Sequence, residues 1–291
     1  MGQPPLIVFT DLDGTLLDHE TYSFEPAATA LGRLRDLDIP LILASSKTAA
    51  EIVEIQRAIG CDGFPAIVEN GAGILEPVSR DSKDARPLPG YSADQAQPIW
   101  DGAPNGEPFA PGAPPELGRY PELIAALNEV SPYLRALFEG FYDLGPDGIA
   151  QATGLDPEAA RRAARRQFSE PGLFFGGPGE SDEFLAALAK LGVRARRGGR
   201  FLTLSFGGTK ADRMDEIAAR YGNPPRLALG DAPNDIEMLE AADYGVIIAN
   251  AHGTPLPDLP GEAAGLIRRT SLPGPLGWNS AVLDLLYQLK L

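Results

Sequence analysis

Two short acidic turns in this 291-residue chain carry side chains that could act on a phosphate group. In the first, Asp11 and Asp13 stand two positions apart, and only Thr10 separates Asp11 from the apolar run at residues 6–9. Carboxylates that leave one strand end can converge on Mg²⁺, which prefers oxygen ligands and bridges carboxylates to phosphate. The same residues are also typical of an ordinary turn, because Asp and Gly favour turns for local reasons.

The second acidic turn has the sequence GDAPND and contains Asp231 and Asp235. It follows another short apolar run, at residues 227–229, and Asp235 could cap the helix that comes next. Two such turns at strand ends, far apart in the chain, favour a shared metal site over two unrelated turns.

Two further residues could bind the oxygens of a phosphate group. Ser45 follows the apolar run at residues 39–44, and its hydroxyl and nearby backbone N–H groups could hold an anion. The alternative reading is a plain helix N-cap. Lys210 follows a Gly-Gly-Thr stretch and suits a point cation on phosphate, although an isolated lysine is more often a surface residue.

The elements that must position these residues alternate along the chain. Apolar runs predict strands at residues 6–9, 39–44, 66–68, 227–229 and 245–249, and helical spacing predicts helices at 27–37, 45–59 and 211–221, with another ending at 241. This alternation predicts an α/β fold with right-handed crossovers and a mainly parallel sheet. Active groups are expected beyond the carboxyl ends of its strands.

The middle of the chain has a different character. Residues 79–118 form a Pro/Gly-rich irregular segment; beyond it, patterns predict helices at 120–137, 156–168 and 181–191 and a strand at 201–205. We therefore predict a core domain of residues 1–84 and 206–291, with an inserted α+β domain at residues 85–205.

Composition limits the partners. Lys and Arg total 25 against 40 Asp and Glu, a net charge of −15, which disfavours nucleic-acid and anionic membrane surfaces. An anionic substrate must therefore meet local cations or a metal. The single cysteine, Cys61, excludes a disulfide framework and fits a reducing compartment. With no signal-peptide pattern and no apolar run long enough to span a bilayer, we expect a cytoplasmic protein.

Taken in order, DLDGT at residues 11–15, Ser45, Lys210 and GDAPND resemble the haloacid dehalogenase superfamily, in its aspartate-nucleophile phosphatase branch. The resemblance implies a Rossmann-like parallel-sheet core with an inserted α+β cap of the C2 type. It implies Asp11 as nucleophile and Asp13 as acid and base. It implies Mg²⁺ held by Asp11, Asp13, Asp231 and Asp235, and phosphate held by Leu12, Ser45, Ser46, Lys210 and Asn234.

Other segments resemble mannosyl-3-phosphoglycerate phosphatases: SSKT at residues 45–48, ENG at 69–71, TGLDPEAARRA from 153, RRQFSEP at 165–171 and GGRF at 198–201. Gln167 and Thr203 stand where that family usually has Glu and His. The resemblance implies a phosphorylated sugar-acid substrate. The cap residues expected to bind it are Arg166, Ser169, Glu170, Gly199, Arg200 and Phe201.

The arginines of the middle region support an anionic ligand on physical grounds. Arg162 and Arg166 are four apart on a predicted helix, and Arg197 and Arg200 flank a turn, which concentrates positive charge in an acidic protein. We expect Arg166 and Arg200 to contact the ligand. Arg161 and Arg165 are expected to balance nearby acids, and the two histidines receive no role.

Several functions remain open at this stage. Other capped phosphatases of the superfamily act on glucosyl-3-phosphoglycerate, sucrose phosphate or hexose phosphates, and a phosphomutase would return the phosphate to the sugar. A binding module without catalysis is a further alternative, but it would have no need of Asp13 beside Asp11. The sequence leaves the oligomeric state open.

Overall fold

The computed structural model describes residues 3–77, 118–198, 200–253 and 255–291. The predicted irregular segment at 79–118, except for its last residue, and the predicted boundary between residues 84 and 85 lie outside the described residues. The strands are β1 (Ile7–Thr10), β2 (Leu41–Leu43), β3 (Ala66–Val68), β4 (Gly73–Leu75), β5 (Phe138–Gly140), β6 (Ser169–Phe174), β7 (Arg194–Gly198), β8 (Phe201–Ser205), β9 (Arg226–Gly230), β10 (Tyr244–Ala249) and β11 (Ile267–Pro273). The helices are α1 (Ala28–Asp36), α2 (Ala49–Ile59), α3 (Tyr120–Glu129), α4 (Pro132–Arg135), α5 (Phe141–Thr153), α6 (Pro157–Ala163), α7 (Pro178–Lys190), α8 (Lys210–Arg220), α9 (Ile236–Glu240), α10 (Pro260–Ala263) and α11 (Gly274–Gln288).

The main sheet has five strands in the order β11-β10-β9-β1-β2, and every neighbouring pair is parallel. β1 lies between β9 and β2, so the strand order reverses around it. Strand β3 touches this edge through an Ala44–Ile67 bridge and pairs antiparallel with β4. The predicted α/β class with a parallel-sheet core is confirmed.

Both faces of the main sheet are covered, which explains why its strands read as continuous apolar runs. Leu6 and Val8 pack into the cluster formed with α1, α2 and α11. Ile7 and Phe9 point to the opposite face, into the cluster formed with α8 and α9. Burial on both faces fixes the position of the strand that leads directly into Asp11.

A second sheet of four antiparallel strands, in the order β5-β6-β8-β7, lies within residues 138–205. Phe138 and Leu204 from this sheet pack against α3 and α7. Phe201 packs with α5 and α6 in a smaller cluster. The predicted strand at residues 201–205 is confirmed, and its partner strands β5, β6 and β7 were not predicted.

The predicted helix at residues 156–168 is wrong beyond its first half. α6 ends at Ala163, so Arg166 follows the helix and does not share a helical face with Arg162. Further along, the backbone N–H groups of residues 167–169 donate to Glu69, a residue about 100 positions earlier. A tertiary contact takes the donors that a longer helix would have used.

Helix α11 was not predicted; it begins with Gly274 and Pro275. Proline is tolerated in the first turn of a helix, where its missing N–H costs nothing. The helix buries Trp278, whose indole N–H donates to Thr10 Oγ1 at the end of β1 over 2.9 Å. None of the helices in the described ranges is long and apolar enough to cross a membrane.

Candidate active site

The carboxyl ends of β1, β9 and β2 bring the two acidic turns and the predicted phosphate-binding serine to one edge of the sheet. Asp11 follows β1, Asp231 follows β9, and Ser45 follows Ala44, the residue after β2. Parallel neighbours end at the same edge, so residues distant in sequence meet there. One carboxylate oxygen each from Asp11, Asp231 and Asp235 lie within 4.8 Å of one another, and all three residues are buried.

Lys210 lies between the two acidic turns. It is the first residue of α8 and is 1% exposed, and its Nζ donates to Asp11 Oδ1 and to Asp235 Oδ1, each over 2.6 Å. Burial acts to lower the pKa of Lys210, but the carboxylates of Asp11 and Asp235 outweigh it and the pKa is raised. Lys210 is therefore a fixed positive charge inside the cluster and not a surface residue.

Hydrogen bonds orient the second acidic turn before any ligand arrives. Asp235 Oδ2 accepts from the backbone N–H groups of Asp231 (3.1 Å) and Ala232 (3.0 Å), so this side chain caps its own turn and does not cap α9 as predicted. Asp231 accepts from Thr15 Oγ1 and from Asn250 Nδ2, each over 2.6 Å. Neither Thr15 nor Asn250 was among the predicted site residues.

The donor set fits a divalent cation such as Mg²⁺. With Asp13 the cluster has four carboxylates against two lysines, Lys210 and Lys47, which leaves an excess of negative charge. Burial, and then repulsion from the other carboxylates, raises the pKa of Asp11 well above its ordinary value, although Lys210 opposes this. Burial also raises the pKa of Asp231. A hard cation bound by carboxylate oxygens would neutralise that charge.

Asp13 forms an ion pair with Lys47, which was not among the predicted site residues. Lys47 Nζ lies 2.9 Å from Asp13 Oδ2 and 5.3 Å from the centre of the Tyr22 ring. Burial acts to lower the pKa of Lys47, but Asp13 and Glu51 raise it overall. The other oxygen, Asp13 Oδ1, is buried and has no hydrogen-bond partner among the described residues. The signal for Lys47 was its place in SSKT, two residues after Ser45.

Ser45 is not the N-cap of α2. The helix begins at Ala49, and Thr48 caps it through a reciprocal arrangement with Glu51. Ser45 is 1% exposed, and its Oγ accepts from Lys47 N over 3.2 Å. The adjacent Ser46 is exposed at the turn. The alternative reading of Ser45 as a plain cap is therefore wrong.

The remaining predicted phosphate ligands lie on the same loops. Leu12 is fully buried between Asp11 and Asp13, and its carbonyl accepts from Leu17 N over 2.8 Å. Asn234 is exposed, and its Nδ2 donates to Asn70 Oδ1 over 3.0 Å. The second acidic turn is thereby joined to the turn that follows β3.

Arg166 reaches from the second sheet to the serine turn, but its guanidinium is already engaged. It donates to Ser169 O (3.2 Å), to Ser169 Oγ (2.6 Å) and to Ser46 O (3.4 Å). It also forms an ion pair with Glu69 at 3.2 Å, in which both side chains are buried. The same partners enclose Ser169, which is 0% exposed.

Glu170 is also fully buried. It accepts from Tyr120 OH over 2.7 Å and from Tyr142 N over 2.8 Å. Burial raises the pKa of Glu170 to about 7, although both hydrogen bonds act in the opposite direction. Glu170 therefore faces the interior of the second sheet's unit and holds Tyr120 in place.

The predicted substrate-binding residues between β7 and β8 and at the start of β8 form fewer contacts with the site. Arg200 is exposed next to the ring of Phe201, which packs edge-on against Phe141 with ring centres 5.4 Å apart. Among the described residues, no hydrogen bond or ion pair joins Arg200 to the acidic cluster, and Gly199 lies outside them. Arg161 pairs with Glu158 as expected for a surface arginine.

The arrangement contains the groups that phosphoryl transfer requires. A buried carboxylate at a strand end can act as nucleophile, and a second carboxylate two residues later can move a proton. Fixed cations and oxygen ligands for a metal surround them, and these stabilise charge on a transferring phosphoryl group. The chemistry that the geometry supports is therefore attack on an anionic phosphate ester.

Solved structures share this architecture. The chain resembles the sucrose-phosphatase from Synechocystis sp. PCC6803 with a TM-score of 0.56 and 16% identity, covering 100% of this chain and 99% of that one. A haloacid dehalogenase-like hydrolase from Bacteroides thetaiotaomicron matches with a TM-score of 0.62 and 20% identity, covering 96% and 98%. A sugar phosphatase of haloacid dehalogenase subclass IIB matches with a TM-score of 0.56 and 15% identity, again covering 96% and 98%. At these identities the similarity establishes the fold.

A family model provides the assignment at the sequence level. The model for haloacid dehalogenase-like hydrolases matches residues 8–95 and 196–254, which is half of the chain. The matched ranges contain both acidic turns, Ser45 and Lys210, all of which the structure brings to one edge of the sheet. On this evidence the chain belongs to the haloacid dehalogenase-like hydrolase family.

Proposed function

We propose that this protein is a Mg²⁺-dependent phosphatase that hydrolyses a phosphorylated sugar acid, with mannosyl-3-phosphoglycerate as substrate. The observation that carries the proposal is the position of Lys210 Nζ, 2.6 Å from both Asp11 and Asp235 within a buried carboxylate cluster. A phosphate group held at Asp11 would meet this cation directly. Family membership and the neighbouring sugar phosphatases support the same chemistry.

The reaction takes place in two displacements. A carboxylate oxygen of Asp11 attacks phosphorus, the bond to the substrate oxygen breaks, and Asp13 donates a proton to that leaving oxygen. Asp13 then takes a proton from water, whose oxygen attacks the phosphorus of the aspartyl-phosphate. This second step releases inorganic phosphate and restores the Asp11 carboxylate.

The remaining residues of the site bind and orient. Lys210 and Ser45 hold phosphate oxygens, with Leu12, Ser46 and Asn234 on the adjoining loops. Hydrolases of this family typically use Mg²⁺. Asp11, the Asp13 carbonyl, Asp231 and Asp235 would hold the ion, and it would supply the positive charge that lets an anionic nucleophile approach a phosphate dianion.

We assign recognition of the sugar acid to the unit that contains the second sheet. In this proposal residues 85–205 form a cap over a core of residues 1–84 and 206–291. Arg166 contacts the serine turn from that unit, and Arg200 offers an exposed cation for the substrate carboxylate. The motifs shared with mannosyl-3-phosphoglycerate phosphatases support the choice of substrate.

The test is a phosphate-release screen of the purified protein with Mg²⁺. The panel contains mannosyl- and glucosyl-3-phosphoglycerate, sucrose phosphate and hexose phosphates, and we expect the highest kcat/KM for the mannosyl compound. Free phosphate distinguishes a hydrolase from a mutase. A better result with another panel member would replace the proposed substrate, and no release from any of them would reject the proposed phosphatase.

A further inference from the structure

Glu69 is a buried carboxylate that joins the turn after β3 to the start of β6 in the second sheet. It follows β3 and is 2% exposed. Its carboxylate accepts hydrogen bonds from three consecutive backbone N–H groups, those of Gln167 (2.8 Å), Phe168 (3.2 Å) and Ser169 (2.7 Å). It also accepts from Ser169 Oγ over 2.8 Å and pairs with Arg166 at 3.2 Å. Successive N–H groups aimed at one point form an anion-binding site, which here holds a side chain of the same protein.

The backbone of the same turn contacts the serine turn of the candidate site. Glu69 N donates to Lys47 O over 3.0 Å, and Asn70 N donates to Ser45 O over 2.9 Å. Glu69 and Asn70 both have left-handed backbone conformations, with φ of 52° and 59°. Non-glycine residues adopt this conformation in a folded protein only where the surroundings hold them there.

The turn also contacts the two other segments of the cluster. Gly71 (φ 88°) packs so closely that a Cβ would lie 2.1 Å from the carbonyl carbon of Thr209 and 2.5 Å from Lys210 N. Asn70 Oδ1 accepts from Asn234 in the second acidic turn. The three residues therefore contact the serine turn, the start of α8, the second acidic turn and the start of β6.

We propose that Glu69 is a positioning residue. It fixes the distance between the phosphate site and the substrate-binding surface of the second sheet. Its side chain fixes residues 166–169, while its backbone fixes the serine turn. The enzyme therefore selects phosphate esters that carry a second polar group, a carboxylate or sugar hydroxyls, at that distance from the phosphate. A small aryl phosphate needs only the acidic cluster and the serine turn, and its hydrolysis does not depend on the Glu69 side chain. This inference rests on the proposed function for the identity of the reaction.

Glu69→Gln is the informative variant, because the amide keeps the shape of the side chain but half of it cannot accept from backbone N–H groups. We expect the ratio of kcat/KM for mannosyl-3-phosphoglycerate to that for p-nitrophenyl phosphate to fall at least tenfold. The KM for the larger substrate should rise, and kcat for the aryl phosphate should stay within about twofold of wild type. Glu69→Ala should have the larger effect.

The matched control is Glu262→Gln, since Glu262 also accepts from a backbone N–H, that of Leu259, and pairs with Arg269. Among the described residues no hydrogen bond or ion pair joins Glu262 to the second sheet, and its substitution should leave the ratio unchanged. A parallel loss on both substrates in Glu69→Gln, or no change on either, would overturn the proposal.

Hydrogen exchange tests the contact between Glu69 and the backbone of residues 167–169 without an activity assay. Glu69→Gln should speed exchange of the amides of residues 167–169 at least tenfold, while the amides of β1 keep their protection. If wild type releases no phosphate from the sugar acid, the proposed function fails and this measurement alone decides the role of Glu69. Unchanged exchange at residues 167–169 would show that the carboxylate does not position them.

Discussion

Thr15 Oγ1 donates a 2.6 Å hydrogen bond to Asp231 Oδ1 and so joins the two acidic turns across 216 positions of sequence. Gly14, the residue before Thr15, also lies against the second turn, since a Cβ there would lie 2.9 Å from Asp231 Oδ2 and 2.6 Å from Asn250 Nδ2. The first turn must therefore approach the second closely. This contact fixes the orientation of the Asp231 carboxylate, which we propose as a metal ligand.

Thr15→Val tests that relationship. Valine has the shape of threonine but cannot donate, and a hydrogen bond to a charged group contributes about 1.5–3 kcal/mol. We expect the Mg²⁺ concentration for half-maximal phosphate release to rise roughly tenfold or more, with kcat at saturating Mg²⁺ less affected. Thr29→Val, at an exposed position of α1, is the control. An unchanged Mg²⁺ requirement would show that Thr15 does not orient the ligand.

Asp11→Asn should abolish phosphate release, because an amide has the same shape but is a poor nucleophile. The variant should fold, because asparagine has the same shape and its side-chain oxygen can still accept the hydrogen bond from Lys210 Nζ. Circular dichroism measures the folding of the variant, and a phosphate assay measures its turnover. Substantial turnover by this variant would exclude Asp11 as the nucleophile.

Asp13→Asn should lower the rate by about 10²–10⁴-fold for substrates with a poor leaving group, because proton transfer contributes that much. An aryl phosphate, whose leaving group needs little protonation, should lose less in the first step. Asp284→Asn, at an exposed position of α11, serves as the control. Equal rates for wild type and Asp13→Asn would exclude Asp13 as the acid and base.

Metal removal should stop the reaction. We expect excess chelator to abolish phosphate release and added Mg²⁺ to restore it, because the cluster has more carboxylates than cations. Ca²⁺ should inhibit, since it accepts more oxygen ligands and bidentate carboxylates. Asp231→Ala should chiefly raise the Mg²⁺ requirement. Full activity in chelator would contradict the proposed metal dependence.

Glu170 predicts a pH dependence of stability. Its pKa is about 7 in the folded protein against an ordinary 4.5, so between these values the folded state binds more protons than the unfolded state. The free energy of unfolding contributed by this group therefore falls as pH rises from about 4.5 to about 7, by at most about 3 kcal/mol.

Glu170→Gln removes that titration. The amide can accept from Tyr142 N and donate to the Tyr120 hydroxyl, so we expect a variant more stable than wild type at pH 8 and similar at pH 5. Urea unfolding at the two pH values measures this. Glu139→Gln, an exposed position on β5, is the control. Equal shifts for both variants, or none for Glu170→Gln, would contradict the prediction.

Arg200→Ala should separate substrate recognition from chemistry. Loss of a charge-assisted hydrogen bond, about 1.5–3 kcal/mol, should raise the KM for the sugar-acid phosphate by roughly 10–100-fold. Hydrolysis of an aryl phosphate should stay near wild type. Arg57→Ala, at an exposed position near the end of α2, is the control. Arg166→Ala would not separate recognition from structure, because it also removes the buried ion-pair partner of Glu69.

The fold class and the convergence of Asp11, Ser45 and Asp231 could be predicted, because both depend on local patterns. A continuous apolar run predicts a strand buried on both faces, and an acidic or hydroxyl residue directly after it must emerge at the carboxyl end. The order of the motifs added the resemblance that the family match confirms. None of these inferences needed a pairing between distant segments.

The sequence alone therefore determined the strands that precede the acidic turns and Ser45, the excess of negative charge and the residue types at those strand ends. The tertiary structure decided which of those residues touch: Lys210 between Asp11 and Asp235, Thr15 on Asp231, and Glu69 on the backbone of residues 167–169. It also ended α6 before Arg166. Spacing along one element fixes which face a side chain takes, whereas contacts between elements depend on sheet order and packing, which no local pattern encodes.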